Sequence, residues 1–199
     1  EPGSYLYCGL SRDASKEEIL ERINNNTITD ILNKIEVKAG DVVMVKAGTI
    51  HAIGAGVFIC EIQQNSNCTY RMYDYDRRDK FGNPRELHVK KALDVVDNHK
   101  YIKDNKTEVV IARNEHFTEE RLVQCKYFEV YKYDVNDEAK ITVDEASFVS
   151  VLFINGSGTI ETDDYEKTME FKAGDSFFVS AGLRSIIIKG QATMVVTRV

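Results

Sequence analysis

No part of this chain is apolar for the roughly 20 residues that a membrane-crossing helix requires. The opening residues also lack the basic-then-apolar pattern of a secretory leader. A helical membrane span is excluded, and a cytoplasmic setting is expected. Cysteine is sparse and scattered (Cys8, Cys60, Cys68, Cys125), with no Cys-x-x-Cys pair. That spacing predicts reduced thiols rather than a disulfide framework. The Asn-x-Thr/Ser triplets at Asn25, Asn67, Asn105 and Asn155 then read as chance matches. Neither sign of charge prevails: 26 Lys and Arg are interleaved with 32 Asp and Glu, for a net charge of −6. A nucleic-acid or polyanion surface is therefore not the main purpose of the chain. What remains is 199 residues with 43% hydrophobic content, enough for one large or two small domains.

The chain is organised around residues 38–56. Gly40 and Asp41 suit a tight turn, since glycine reaches positive φ without strain and aspartate bonds nearby backbone. Residues 42–45 are β-branched or apolar and predict a buried strand. Ala47-Gly48 predicts a second turn, which aims His51 off the end of the next strand. Small residues follow (Ala52, Gly54, Ala55, Gly56) and leave room around the imidazole. His51 has two readings: a satisfied core histidine, or a metal ligand held by a rigid strand.

Before this stretch, residues 1–10 read as a strand after a Pro-Gly turn. The chain opens abruptly, without Met, and is expected to be a fragment or processed piece. Ser15 and Glu18 form a candidate capping box, with Ile19, Leu20 and Ile23 at helical spacing, so residues 14–25 predict a helix. Residues 27–34 predict a second short helix, and 14–34 together read as a helical insertion outside a barrel.

Residues 57–64 predict a strand interrupted by Glu61, a carboxylate either on a solvated face or pointing into a site. Arg71 lies among aromatics in an alternating run, residues 68–77. There it is either a surface cation–π contact or an anion clamp, because its planar fork matches a carboxylate or phosphate. Residues 88–96 predict a short amphipathic helix with His88 on its surface. Residues 99–107 are polar and read as a linker with His99 solvated. Beyond it the pattern is all strand, at 108–112, 125–133, 140–143, 147–155, 158–162, 167–171, 176–179, 184–189 and 193–198. His116 is expected in an exposed loop.

An internal repeat ties the two halves together. Lys38-Ala39-Gly40-Asp41 recurs as Lys172-Ala173-Gly174-Asp175, and Ala47-Gly48 as Ala181-Gly182, at a constant offset. At that offset His51 becomes Ser185. The second copy keeps the turn glycines and lacks the imidazole. Gly156-Ser157-Gly158 reads as a hairpin turn upstream of it.

The spacing Gly40-x5-Lys46-x-Gly48-x2-His51 resembles the second motif of the cupin superfamily, with Lys46 where Pro is usual and Ala55 where Asn is usual. The run from Ala47 to Gly56, then Glu61-Ile62-Gln63-Gln64, then Thr69 to Arg77, resembles type I phosphomannose isomerase of the short bacterial kind. The resemblance covers nearly the whole chain. It implies a mostly β protein of two related cupin-type jelly-roll barrels with the small helical insertion. Residues 1–98 would be an incomplete metal-site cupin portion, and 108–199 a degenerate cupin without a metal site. It further implies interconversion of mannose 6-phosphate and fructose 6-phosphate with one zinc or similar divalent ion. His51 would be a metal ligand, Arg71 the catalytic or substrate-orienting arginine, and Glu61 a substrate-pocket residue. The family's other ligands lie in an N-terminal segment that nothing here matches. This chain alone is therefore expected to bind zinc weakly, to be inactive, and to self-associate through open barrel edges. The alternatives are a non-catalytic cupin that binds sugars or regulates, or another cupin enzyme; a dioxygenase would need a His pair near Gly156-Gly158.

Overall fold

A computed structural model describes residues 1–66, 68–103, 109–163 and 168–199. The chain divides into two compact units, Glu1–Lys103 and Asp104–Val199. Of the expected linker, residues 104–107 lie outside the described residues, as do Glu108 and Lys167 at the starts of two expected strands and Asn67 in an expected turn.

The first unit is built on a three-stranded antiparallel sheet, ordered β2-β1-β3, from β1 (Tyr5–Leu10), β2 (Leu32–Glu36) and β3 (His51–Ile53). Helix α1 (Lys16–Asn24) and helix α2 (Val89–Val95) complete it. Its core gathers Leu10, Ile19, Ile23, Ile28 and Ile31, with Ile50 and Met72 packed against it. Ile19 is wholly buried, and each such aliphatic side chain contributes about 1.5–3 kcal/mol.

Ser15 caps α1 as expected, its Oγ accepting from the Glu18 amide at 3.1 Å. The Glu18 carboxylate does not close the capping box; it accepts from the guanidinium groups of Arg12 and Arg22. Those two donors hold its carboxyl down at about 2. A depressed carboxyl stabilises the fold above the ordinary glutamate value, 4.5, and loses that contribution as pH falls toward about 2. Glu18→Gln is therefore expected to lower the melting temperature at pH 7, with the gap to wild type closing by about pH 2. Thermal melts across pH check it.

The structure corrects the second helix. Residues 28–31 make only a single 3-10 turn, and Leu32 onward is strand β2. Leu6 pairs with Ile35 and Tyr7 with Lys34, so the ladder offered by β1 outweighs a helix too short to sustain itself. The expected strands at 42–45 and 57–64 are also absent from the ladders among the described residues. Their β-propensity expresses itself only where a neighbouring strand takes up the backbone N–H and C=O groups.

The second unit is an eight-stranded sheet of order β10-β8-β11-β6-β5-β4, with β7 added on β11 and β9 on β8. The strands are β4 (Val109–Arg113), β5 (Phe117–Gln124), β6 (Glu129–Val135), β7 (Glu138–Val143), β8 (Val149–Thr162), β9 (Thr168–Lys172), β10 (Ser176–Val179) and β11 (Arg184–Arg198). Its apolar core is centred on Phe153, which stacks on Phe171 at 3.7 Å and meets Phe177 edge-on at 6.0 Å.

Three expectations fail here for stated reasons. β5 was not foreseen, and the strand expected over 125–133 begins only at Glu129, because Cys125 to Phe128 closes a turn instead. Gly156-Ser157-Gly158 is not a hairpin turn, since β8 runs straight through it. Likewise β11 is one strand where two were expected. The two long strands pair from Ile186↔Thr162 to Arg198↔Val149. They approach so closely that a Cβ at Gly156 would fall 1.9 Å from the Gln191 carbonyl oxygen, and one at Gly158 2.0 Å from that of Lys189. These glycines serve close backbone approach, not chain reversal.

Both copies of the repeated turn adopt one conformation. Gly40 and Gly174 have φ of 92° and 91°, and Gly48 and Gly182 have φ of 85° and 80°. Asp41 accepts from the Lys38 amide at 3.0 Å, and Asp175 from the Lys172 amide at 2.9 Å. The segment that follows becomes strand β10 in the second copy, where β8 pairs with it, and stays irregular in the first.

Candidate functional site

His51 opens β3, directly across the ladder from Cys8 of β1. The preceding turn is fixed on both sides: the Thr49 amide donates to the Lys46 carbonyl at 3.1 Å, and the Asp97 amide donates to the Gly48 carbonyl at 2.9 Å. A side chain at position 48 would strike the Val95 carbonyl, at 2.8 Å from the added Cβ. The imidazole is exposed, and its Nδ1–H donates to the Thr49 carbonyl at 3.0 Å. In a neutral ring that bond places the proton on Nδ1 and leaves the lone pair on Nε2, the tautomer that ligates metals through Nε2.

Arg71 is half-buried, with its guanidinium donating to the Glu86 carbonyl at 3.3 Å. Its main chain is bonded twice to His88: the Arg71 amide donates to His88 Nδ1 at 3.3 Å, and the His88 amide donates to the Arg71 carbonyl at 2.6 Å. The stacking cation nearby is Arg77, 5.2 Å from the Tyr75 ring centroid; no such contact involves Arg71 among the described residues. Glu61 is exposed and makes no hydrogen bond or ion pair among them.

Asp74 is the buried carboxylate of this region. Arg85 grips it with two donors, one at 2.7 Å, and holds its carboxyl below the usual aspartate range, with Arg77 and Arg71 adding to the field. The next two residues, Tyr75 and Asp76, have φ of 56° and 52°. Consecutive non-glycine residues in that region are costly, and such strain collects at functional sites. Sequence reasoning missed Asp74, Arg85 and the bonding of His88. The signal for the first two was an aspartate in an otherwise aromatic and apolar face. His88 was expected on the surface; it instead precedes α2 with a side chain 27% exposed and bonded to Arg71.

Among the described residues, no contact joins His51, Glu61 and Arg71, and no three His, Cys, Asp or Glu side chains converge to hold a metal. The oriented imidazole fits one position of a divalent site, but one donor does not make a tetrahedral site. The described residues of this chain therefore do not by themselves fit the metal. A shallow hollow of about 390 Å³ lies in the second unit, lined by Asp134, Asn136, Asn155, Gln191 and Thr193 among others, and includes none of the three candidates.

In the second unit Ser185, the counterpart of His51, is buried, and its hydroxyl donates to Asp163, which Lys140 approaches at 3.3 Å. A neutral hydroxyl tied to a carboxylate has replaced the imidazole.

A mostly β chain with the paired Gly-Asp turns and a strand-borne histidine is similar to the cupin class. The family model for the mannose-6-phosphate isomerase cupin domain matches residues 118–199. The protein YvyI of Bacillus subtilis is 41% identical over 204 residues, covering all of this chain and 61% of that protein. Mannose-6-phosphate isomerase ManA of the same organism is 33% identical over 193 residues, covering 92% of this chain and 56% of the relative. The crystal structure of mannose 6-phosphate isomerase from Bacillus subtilis superposes with a TM-score of 0.89 at 35% identity, covering 100% of this chain and 62% of that one. The chain is thus similar along its length to mannose-6-phosphate isomerases, and its second half to their cupin domain. It spans about three fifths of the length of the curated relatives it matches.

Proposed function

We propose that the protein carrying this chain interconverts mannose 6-phosphate and fructose 6-phosphate, aided by a divalent ion, zinc in our reading. The observation that carries this is the exposed His51 imidazole, held through Nδ1 by the Thr49 carbonyl, within a chain 41% identical along its whole length to YvyI. His51 supplies one metal donor in this reading, and the other donors come from outside the described residues. Arg71 holds the negative charge that develops as a proton moves between adjacent carbons through an enediol, since a guanidinium stays charged at every working pH. Glu61 contacts the sugar phosphate in this reading.

The domain reading follows the same line. Residues 1–98 form part of a metal-bearing barrel, with helix α1 as the helical part of the segment 14–34. Residues 99–107 link it to a second, degenerate jelly roll, 108–199, in which Ser185 has replaced the ligand. Sugar binding without turnover is the second reading, favoured by that replacement.

Three measurements test the proposal. A coupled assay on the intact gene product is expected to show isomerisation that a chelator abolishes; no turnover with metal supplied would leave the binding reading. Equilibrium dialysis of this chain alone is expected to give zinc affinity far weaker than a closed site. Tight stoichiometric zinc would refute the single-donor reading. Light scattering of the same sample reads self-association, which unpaired strand edges favour.

A further inference from the structure

Residues 71–88 form a strap closed by nested bonds. At its base are the two main-chain links between Arg71 and His88. Inside them lies the Asp74–Arg85 pair, then the bridge between Arg78 and Pro84. At the tip Asp79 accepts from the Phe81 amide at 2.8 Å and the Asn83 amide at 2.9 Å. Each bond aligns the next, so the base is held in one register. His88 closes it from both sides: its amide donates into the Arg71 carbonyl and its ring accepts from the Arg71 amide. The ring is also set by Tyr70, whose centroid lies 6.4 Å away, and by Glu86 near Nε2 at 3.8 Å. Position 88 precedes α2, whose first turn bonds back to it through the Ala92 amide at 2.9 Å. The helix thus anchors the histidine, and the histidine anchors the arginine.

We propose that His88 is the positioning residue for Arg71: its Nδ1 lone pair fixes the backbone from which the guanidinium reaches the substrate. The inference rests on the reading of Arg71 as the cation that steadies the developing oxyanion. The required property is an acceptor three bonds from Cα, and asparagine offers one there in its Oδ1, whereas leucine fills the space without it. A misplacement of about 1 Å at a catalytic group costs on the order of 10²-fold.

Kinetics of the intact gene product on mannose 6-phosphate test this in two backgrounds. With Arg71 present, His88→Leu is expected to lower kcat/KM by about 10- to 100-fold, mostly in kcat, and His88→Asn by less than about threefold. In an Arg71→Lys background, His88→Leu is expected to cost less than about twofold, because its effect runs through the missing guanidinium. Equal fold losses for His88→Leu in both backgrounds overturn the inference and leave the role of Arg71 standing. A wild-type rate for Arg71→Lys and Arg71→Ala overturns both. Should His88→Leu fail to fold, His88→Asn decides alone: retained activity supports the positioning role, and a tenfold loss overturns it.

Discussion

Arg71→Ala in the intact gene product is expected to lower kcat/KM for mannose 6-phosphate by about 10²–10³-fold while the fold survives. The loss should fall chiefly on kcat, because a cation aimed at charge that appears only during the reaction contributes little to ground-state binding. Survival of the fold follows from the bonding. The main-chain links of Arg71 to His88 do not depend on its side chain, and the guanidinium gives up only one long bond to the Glu86 carbonyl. The buried carboxylate of the region, Asp74, keeps its bonds to the half-exposed Arg85, which the substitution leaves intact. Circular dichroism beside steady-state rates separates the two effects. A variant that keeps both its melting temperature and its rate removes Arg71 from the reaction.

Phe153→Ala is expected to destabilise the second unit by about 3–5 kcal/mol, a large part of the ~5–15 kcal/mol that holds a typical domain. Phe153 has no exposed surface, stacks on Phe171 nearly parallel at 10°, and meets Phe177 at 86°. Removing it leaves a void between β8, β9 and β10, whose backbones are bound in one ladder and cannot close over it. Urea titration of the purified chain reads the loss. A shift below about 1 kcal/mol would mean that the core relaxes around the gap.

The two effects also mark how differently the halves were legible. The β character of residues from Val109 onward, the Ser15 cap and the repeated Gly-Asp turn follow from local chemistry, which needs only a few neighbours in sequence. The longer reach of β8 and β11 did not. Gly156 and Gly158 look like turn residues until a second backbone is found pressing against them. Residues 42–45 and 57–64 look like strands until one asks which partner takes up their amides.

By itself the sequence determined the repeated Gly-Asp turns, which helix is capped and where the lone strand-borne imidazole sits. A turn, a cap and a periodic apolar face are each settled within a few residues. Only tertiary structure decided which propensities became strands, that Arg85 closes on Asp74, and that His88 grips the Arg71 backbone from 17 residues away. Those outcomes depend on groups distant in the chain meeting at hydrogen-bond range, and that distance carries no mark in local composition.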